Sequence, residues 1–201
     1  VFEQAFSCSP VCSVARTTLM TGCYGPRIGT QFHRRLKMAP MPAGVKMFPA
    51  YLREAGYYTT NNQKKDYNAI EGSGVWDASS RKASWRTRPD KKQPFFHMQS
   101  FGQSHESSLH FSQAEMKRGG LRTDPADVKL APYFPDTPTF RYTHARYLDR
   151  IAEIDRQIGN VVTQLEEDGL LDDTFIFYFG DHGGVLPRSK GYLYESGLHV
   201  P

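Results

Sequence analysis

The chain is poor in cysteine: Cys8, Cys12 and Cys23 are the three in 201 residues. An odd count supports no disulfide framework, and their spacing with His33 matches no regular zinc pattern. A Cys8–Cys23 disulfide stays open, with nothing else in the sequence to argue for it. No cysteine is followed by arginine at the Cys-x5-Arg spacing, which excludes the cysteine-phosphatase loop. No apolar run approaches the ~20 residues a helix needs to span a bilayer, so no membrane span is expected. No internal repeat is visible. Neither sign of charge dominates: 25 Lys and Arg face 21 Asp and Glu, for a net charge of +4. Initiator Met and secretory leader are both missing. The chain opens at Val1-Phe2 and stops at Val200-Pro201, where a strand is expected to start. It reads as an internal piece of a longer protein, and the missing leader says nothing about export.

What is present has the composition of a folded domain, with enough length for a sizeable core. A short helix is expected from Ser13 to about Met20, then a Gly- and Pro-rich loop from Gly22 to Gly44. Phe48 to Ala55 reads as a helix with Phe48, Leu52 and Ala55 on one face and Gly56 as its stop. Tyr57 to Thr60 reads as a short strand, and Pro94 to Phe101 as a second one, apolar and aromatic. Residues 68–92 are polar and read as an exposed insertion. Its basic run (Arg81, Lys82, Arg86, Arg88, Lys91, Lys92), flanked by Trp76 and Trp85, is open to two readings, a solvated loop or a polyanion contact. Residues 107–139 read mostly as loop. A long helix is expected from Thr143 to Asp168, with Tyr147, Ile151, Ile154, Ile158, Val161, Val162 and Leu165 as its core face and Gly169 as its end. Thr174 to Phe179 is a continuous apolar run, the pattern of a buried parallel strand. Strands alternating with helices imply an α/β sandwich.

Two stretches carry chemistry. In Cys12-Ser13-Val14-Ala15-Arg16, residue 12 falls at a helix N-terminus, where exposed N–H groups and the dipole favour an anion. Arg16, one turn on, shares its helix face. A helix start beside a cation also makes a cysteine reactive; the plainer reading is a small buried cysteine beside a surface arginine. In Gly180-Asp181-His182-Gly183-Gly184, a carboxylate and an imidazole stand between small residues after the apolar run. Ligands of open α/β sheets bind outside the carboxyl ends of strands, so this pair can approach a cation; otherwise it is a polar turn.

Together these stretches resemble the type I sulfatases of the alkaline phosphatase superfamily. Cys12 to Gly22 is similar to the family's Cys-x-Pro-x-Arg and Leu-x-Thr-Gly signature, with Val14 in place of the proline. The Asp181 stretch and Lys190 to Pro201 resemble its Asp-His-Gly and Lys…Tyr-Glu-x-Gly-x-x-Val-Pro segment. Ala55 to Lys64 resembles its Ala-Gly-Tyr-x-Thr strand leading to a site lysine, with Asp66 where the family has histidine. Pro94-Phe95-Phe96 leading to Ser104-His105 resembles its Pro-Phe-Phe strand and Pro-His pair, with Ser104 for the proline.

The resemblance implies an alkaline-phosphatase-like sandwich with a mostly parallel central sheet flanked by helices, incomplete at both ends. The N-terminal metal-binding strand and the C-terminal subdomain are expected outside residues 1–201, which form part of a single catalytic domain. It implies that Cys12 is oxidised to formylglycine by a formylglycine-generating or anaerobic maturation enzyme. It assigns Asp181 and His182, with residue 12, to a divalent metal, Ca²⁺ or else Mg²⁺. Arg16 supports the hydrated aldehyde, Lys64 and Lys190 hold the sulfate, His105 protonates the leaving alcohol and His182 is the base. The expected activity is hydrolysis of an organic, carbohydrate-type sulfate ester by an exported protein: periplasmic, extracellular or lysosomal. Alternatives are a phosphodiesterase or phosphonate hydrolase of the same superfamily, or an inactive relative that binds sulfated glycans. Nucleic acid is not an expected partner.

Overall fold

The computed structural model describes residues 1–34 and 37–200. In chain order its elements are β1 (Ala5–Phe6), α1 (Cys12–Thr21), α2 (Gly25–Ile28), α3 (Phe48–Glu54), β2 (Tyr58–Asn62), β3 (Ala78–Ser79) and β4 (Phe95–Gln99). They continue as α4 (Gln113–Arg118), α5 (Pro138–Glu167), α6 (Glu195–Leu198) and β5 (His199–Val200). The chain divides into two units. The first holds 1–100, 179–183 and 188–201; the second holds 101–178 and 184–187.

The first unit carries the parallel sheet of the expected α/β fold. Its order is β3-β2-β4, with Thr60 opposite Ala78 on one side and His97 on the other. The central strand is polar yet buried on both faces: Thr59, Thr60 and Asn61 are fully buried. Each of these side chains makes a hydrogen bond to a neighbouring segment. Thr59 Oγ1 donates to Val75 O, Thr60 Oγ1 pairs with His97 Nδ1, and Asn61 Nδ2 donates to Ser79 Oγ. The buried hydroxyls of Thr59 and Thr60 are tolerated there because they are bonded, whereas Asn61 is bonded through Nδ2 and its Oδ1 is buried without a partner among the described residues.

Met20 of α1 and Ala50 of α3 meet Met47, Tyr67, Ala69 and Val75 in the core, with Phe48, Trp76 and Met98 packed against it. Fully burying a methionine side chain contributes about 1.5–3 kcal/mol. Helix α3 ends before the expected face is complete. Pro49 and Ala50 are its buried residues, and Ala55 is an exposed C-cap. β1 and β5 form a separate antiparallel pair, Ala5 opposite Val200.

Two expectations fail, the first of them in this unit. Residues 68–92 are not a free insertion: they supply β3, and Asn68, Ala69, Val75, Ala83, Trp85 and Arg88 are buried. Trp85 stacks on Phe95 and meets His97 edge-on, while Arg88 donates to the carbonyls of Trp85 and Lys91. Aromatic surface and a guanidinium bonded through Nη1 and Nη2 hold this polar stretch inward. Only part of the basic run, Arg81, Lys82, Arg86, Lys91 and Lys92, faces solvent.

The second correction concerns 174–179. No strand forms there, residues 175–179 make no ladder among the described residues, and Phe175 is 91% and Phe177 77% exposed. Composition favours burial, but a strand is buried only where neighbours pair with it and cover it.

In the second unit, α5 starts at Pro138, ahead of the expected Thr143. Thr137 accepts from Phe140 N as N-cap and Pro138 takes the first turn, a favoured start. Tyr142, Ala145, Ile154 and Leu165 are its buried residues, and the other expected core positions are half-buried. Gly169, with φ +65°, ends it as expected. The expected loop 107–139 contains α4, whose start is a capping box between Ser112 and Glu115.

Candidate active site

Helix α1 begins at Cys12, with Val11 as an extended N-cap whose side chain bonds nothing. The first N–H groups of the helix therefore surround residue 12. The helix is buried almost all round, including Cys12 at 1% exposure and Arg16 at 7%. Gly22, with φ +66°, closes it by donating to Thr18 O.

The Arg16 guanidinium is engaged by segments other than its own helix. Its Nη2 donates to Lys64 O at 2.5 Å and to Ser100 Oγ at 3.3 Å, and its Nε to Lys65 O at 2.9 Å. Nη1 lies 4.0 Å from Asp181 Oδ2. One guanidinium thus ties together the chain just past β2, the chain just past β4, and Asp181. The first two are the carboxyl ends of parallel strands, where ligands of such sheets bind.

The Asp181-His182 pair is held by backbone. Ser7 Oγ donates to Asp181 O at 2.6 Å, and Gly183 N donates to Gly197 O at 2.9 Å. His182 Nδ1 lies 2.7 Å from Gly183 O. A carbonyl only accepts, so Nδ1 carries the proton and Nε2 faces Cys12 Sγ at 3.1 Å. Burial pushes the Cys12 thiol up, but the His182 bond and the positive charges of Lys64 and His182 together outweigh it, and the thiol ends below its usual range. Asp181 opposes that shift and Lys64 assists it. Burial likewise pushes His182 down, while Cys12, Asp181 and Gly183 O carry it above its usual value. The pair leans toward thiolate and imidazolium.

Cys12, Asp181 and His182 each offer a ligand atom, all within 4.8 Å of one another. A hard cation prefers oxygen donors. The set fits one side of such a site: a carboxylate, an imidazole, and position 12 once it carries oxygen instead of sulfur.

Lys64 reaches the same wall. Its Nζ stands 3.8 Å from Asp66 Oδ2, and Asp66 also takes the Nε and Nη2 of Arg34 at 3.2 and 3.4 Å. Burial pushes the Asp66 carboxyl up, but Arg34, Lys64 and His33 hold it below its usual range. Beside it His33 Nδ1 meets Ser13 Oγ at 2.9 Å. The Arg34–Asp66 pair and the His33–Ser13 contact were not foreseen from sequence. The one signal lay at Asp66, where a motif position carries a carboxylate instead of an imidazole.

Lys190 is half-buried in the same unit, and the next residue ties its turn to the motif: Gly191 N donates to Pro10 O at 2.9 Å. His105 belongs to the second unit. There it caps the turn Glu106–Leu109, with Nδ1 2.9 Å from Ser107 Oγ. The structure therefore brings together Cys12, Arg16, Lys64, Asp181 and His182, and joins Lys190 through backbone.

A family model described as Sulfatase matches residues 1–86 and 60–201. The chain belongs to the sulfatase family. Among curated relatives of this sulfatase chain, the ulvan-active sulfatase of Formosa agariphila is 34% identical over 242 residues, covering 100% of the chain and 40% of that protein. The N-sulphoglucosamine sulphohydrolase of Homo sapiens is 26% identical and is covered to 47%. The chain thus spans just under half the length of these relatives. The phosphonate monoester hydrolase of Silicibacter pomeroyi superposes with a TM-score of 0.67 at 16% identity, over 100% of this chain and 59% of that one. That of Agrobacterium radiobacter gives 0.68 at 17%, over 98% and 59%. At such identity these two establish the fold, the alkaline-phosphatase-like α/β arrangement. No described helix of this sulfatase chain is long and apolar enough to cross a membrane.

Proposed function

We propose that the protein containing this chain hydrolyses sulfate esters of carbohydrates, using a formylglycine made from Cys12. The observation that carries the reading is the cluster at the N-terminus of α1: Cys12 Sγ 3.1 Å from His182 Nε2, with Asp181 and Arg16 beside it. The 34% identity to a sulfatase described as ulvan-active supports a carbohydrate substrate.

The hydrated aldehyde at residue 12 supplies the attacking oxygen, and a divalent cation, Ca²⁺ or else Mg²⁺, supplies positive charge beside it. Asp181 and residue 12 would hold that cation, which leaves His182 Nε2 for the proton. The chain's own groups do the rest. Arg16 keeps the strand ends and Asp181 in place, so the site does not reorganise as charge develops. Lys64 and Lys190 offset the charge of the sulfate oxygens. His105 gives its proton to the departing alcohol oxygen as the ester S–O bond breaks. His182 Nε2, in hydrogen-bond reach of residue 12, accepts the proton of a hydroxyl there when sulfate leaves. A maturation enzyme is the required partner, and export is the expected destination.

Mass spectrometry of the Cys12 peptide, from the full-length protein made in its native host, tests the maturation step. Replacement of sulfur by the aldehyde oxygen is the expected result. Parallel assays then compare sulfate, phosphate and phosphonate esters. Preference for phosphonate or phosphate would favour the superfamily alternative, and an unconverted thiol without turnover would favour a glycan-binding relative. A Cys12→Ala protein that kept full sulfatase turnover would sink the scheme.

A further inference from the structure

The second unit has a polar recess of about 290 Å³ between the end of α4 and the first half of α5. Three arginines line it: Arg118, Arg146 and Arg150. Two carboxylates share the wall, Glu115 and Asp149, and both are engaged by neutral donors. Glu115 takes Ser112 N and Oγ at 2.8 and 2.9 Å. Asp149 takes Arg122 N at 2.7 Å, Thr123 N at 3.0 Å and Thr123 Oγ1 at 2.8 Å. Arg146 serves the fold, donating to Ser108 O and His110 O.

Arg118 and Arg150 differ. Among the described residues neither makes a hydrogen bond, nor an ion pair within 4.0 Å, although Arg118 and Arg146 feel the nearby Glu115 charge. Arg150 Nε is buried with no partner at all. A buried donor without an acceptor is costly, and more so for a charged group. Guanidinium groups match planar and tetrahedral oxyanions with paired N–H donors. The rim adds Gly119 and Gly120, whose lack of side chains leaves the backbone open. The lining carries three positive and two negative side chains, so it favours an anion. Its volume falls just below the roughly 300–1,000 Å³ of drug-sized ligand pockets, room for a small group such as one oxyanion.

We propose that this recess binds an oxyanion, a sulfate group carried by a sulfated saccharide, at a site of its own apart from the Cys12 cluster. Arg118 and Arg150 supply the charged donors. The choice of a saccharide carrier rests on the proposed carbohydrate substrate, whereas anion binding here requires no turnover and is tested separately from the catalytic reading.

Isothermal titration of the full-length protein tests it, in a Cys12→Ala, Lys190→Ala background that disables the other anion site. The probes are sodium sulfate and a sulfated oligosaccharide. Both are expected to bind, with free sulfate competing against the saccharide. Arg118→Gln and Arg150→Gln are each expected to weaken saccharide binding about tenfold, the scale of one charge-assisted hydrogen bond. Arg118 is exposed at a helix end, so its variant keeps the fold if Arg150→Gln does not. In the otherwise native protein, Arg118→Gln should leave turnover of a small monosulfate ester unchanged. Loss of sulfate binding with saccharide affinity unchanged would assign the recess to a free anion and overturn the saccharide. Unchanged affinity for both probes in both variants would overturn the site.

Discussion

Cys12 Sγ and His182 Nε2 lie 3.1 Å apart although 170 residues separate them in the chain. Burial alone would push the thiol up and the imidazole down; their contact, helped by Lys64 at the thiol and by Asp181 and Gly183 O at the imidazole, reverses both directions. In unconverted protein, the ultraviolet thiolate absorbance of Cys12 should appear below the ordinary cysteine range. His182→Gln should move that titration upward, because burial then acts with less opposition. The same midpoint in both proteins would show that the contact does not set the thiol's acidity.

Arg16 binds two carbonyls and Ser100 Oγ while sitting 7% exposed. Arg16→Ala leaves those acceptors and Asp181 without it, which should cost about 3 kcal/mol, in the range for breaking a buried charged network. Arg16→Lys should recover less than half, since an ammonium cannot span acceptors a planar fork reaches. Urea unfolding of the three proteins measures this, and equal midpoints would refute the bridging role.

Gly197 has no room for a side chain. A Cβ there would collide with the backbone oxygens of Tyr192 and Ser189, and its own carbonyl accepts Gly183 N. Gly197→Ala should therefore displace both the Lys190 turn and the Asp181-His182 segment. We expect turnover to fall at least tenfold with a lowered melting temperature. Wild-type values for both would mean the turn is not held by this contact.

Asp77 accepts Thr59 N at 2.8 Å and pairs with Arg53 through Oδ1 at 2.6 Å. Burial pushes its carboxyl up, but Thr59 and Arg53 hold it below the usual 3.8. A depressed carboxyl adds stability that is fully present above its unfolded value and is lost as pH falls through the folded one. Asp77→Asn should therefore lose about 1–2 kcal/mol at neutral pH, near the lower range for bonds to charged groups because the pair is partly exposed. The gap should close as pH drops below about 4. A gap independent of pH would point to shape rather than charge.

Much of the fold was legible because it is local. The glycine after Thr21, the strand ending in Thr59-Thr60, the aromatic strand Phe95–Gln99 and the α5 stop at Gly169 all follow from short-range spacing and backbone preference. The site residues Cys12, Asp181 and His182 were legible as motifs, and the structure brings them within reach of each other. The partners of Arg16 were not, because they are carbonyls, and every residue has one. The Arg34–Asp66 pair was hidden for a similar reason: two charges in different loops carry no period that would link them. The inward turn of Trp85 and Arg88 was missed because polarity along 68–92 suggested solvent, while two side chains decided otherwise.

By itself the sequence determined that residue 12 starts a helix, that Arg16 follows one turn later, and that a carboxylate and an imidazole end a glycine-rich stretch. Helix period and turn preference reside in the backbone near each residue and need no distant partner. Only the tertiary structure decided that Nε2 of His182 meets Cys12, that Arg16 binds the strand ends, and that residues 175–179 stay unpaired. Those outcomes depend on which segments the folded chain carries to the same place, and hydrogen-bond ladders and buried charge form only where both partners arrive.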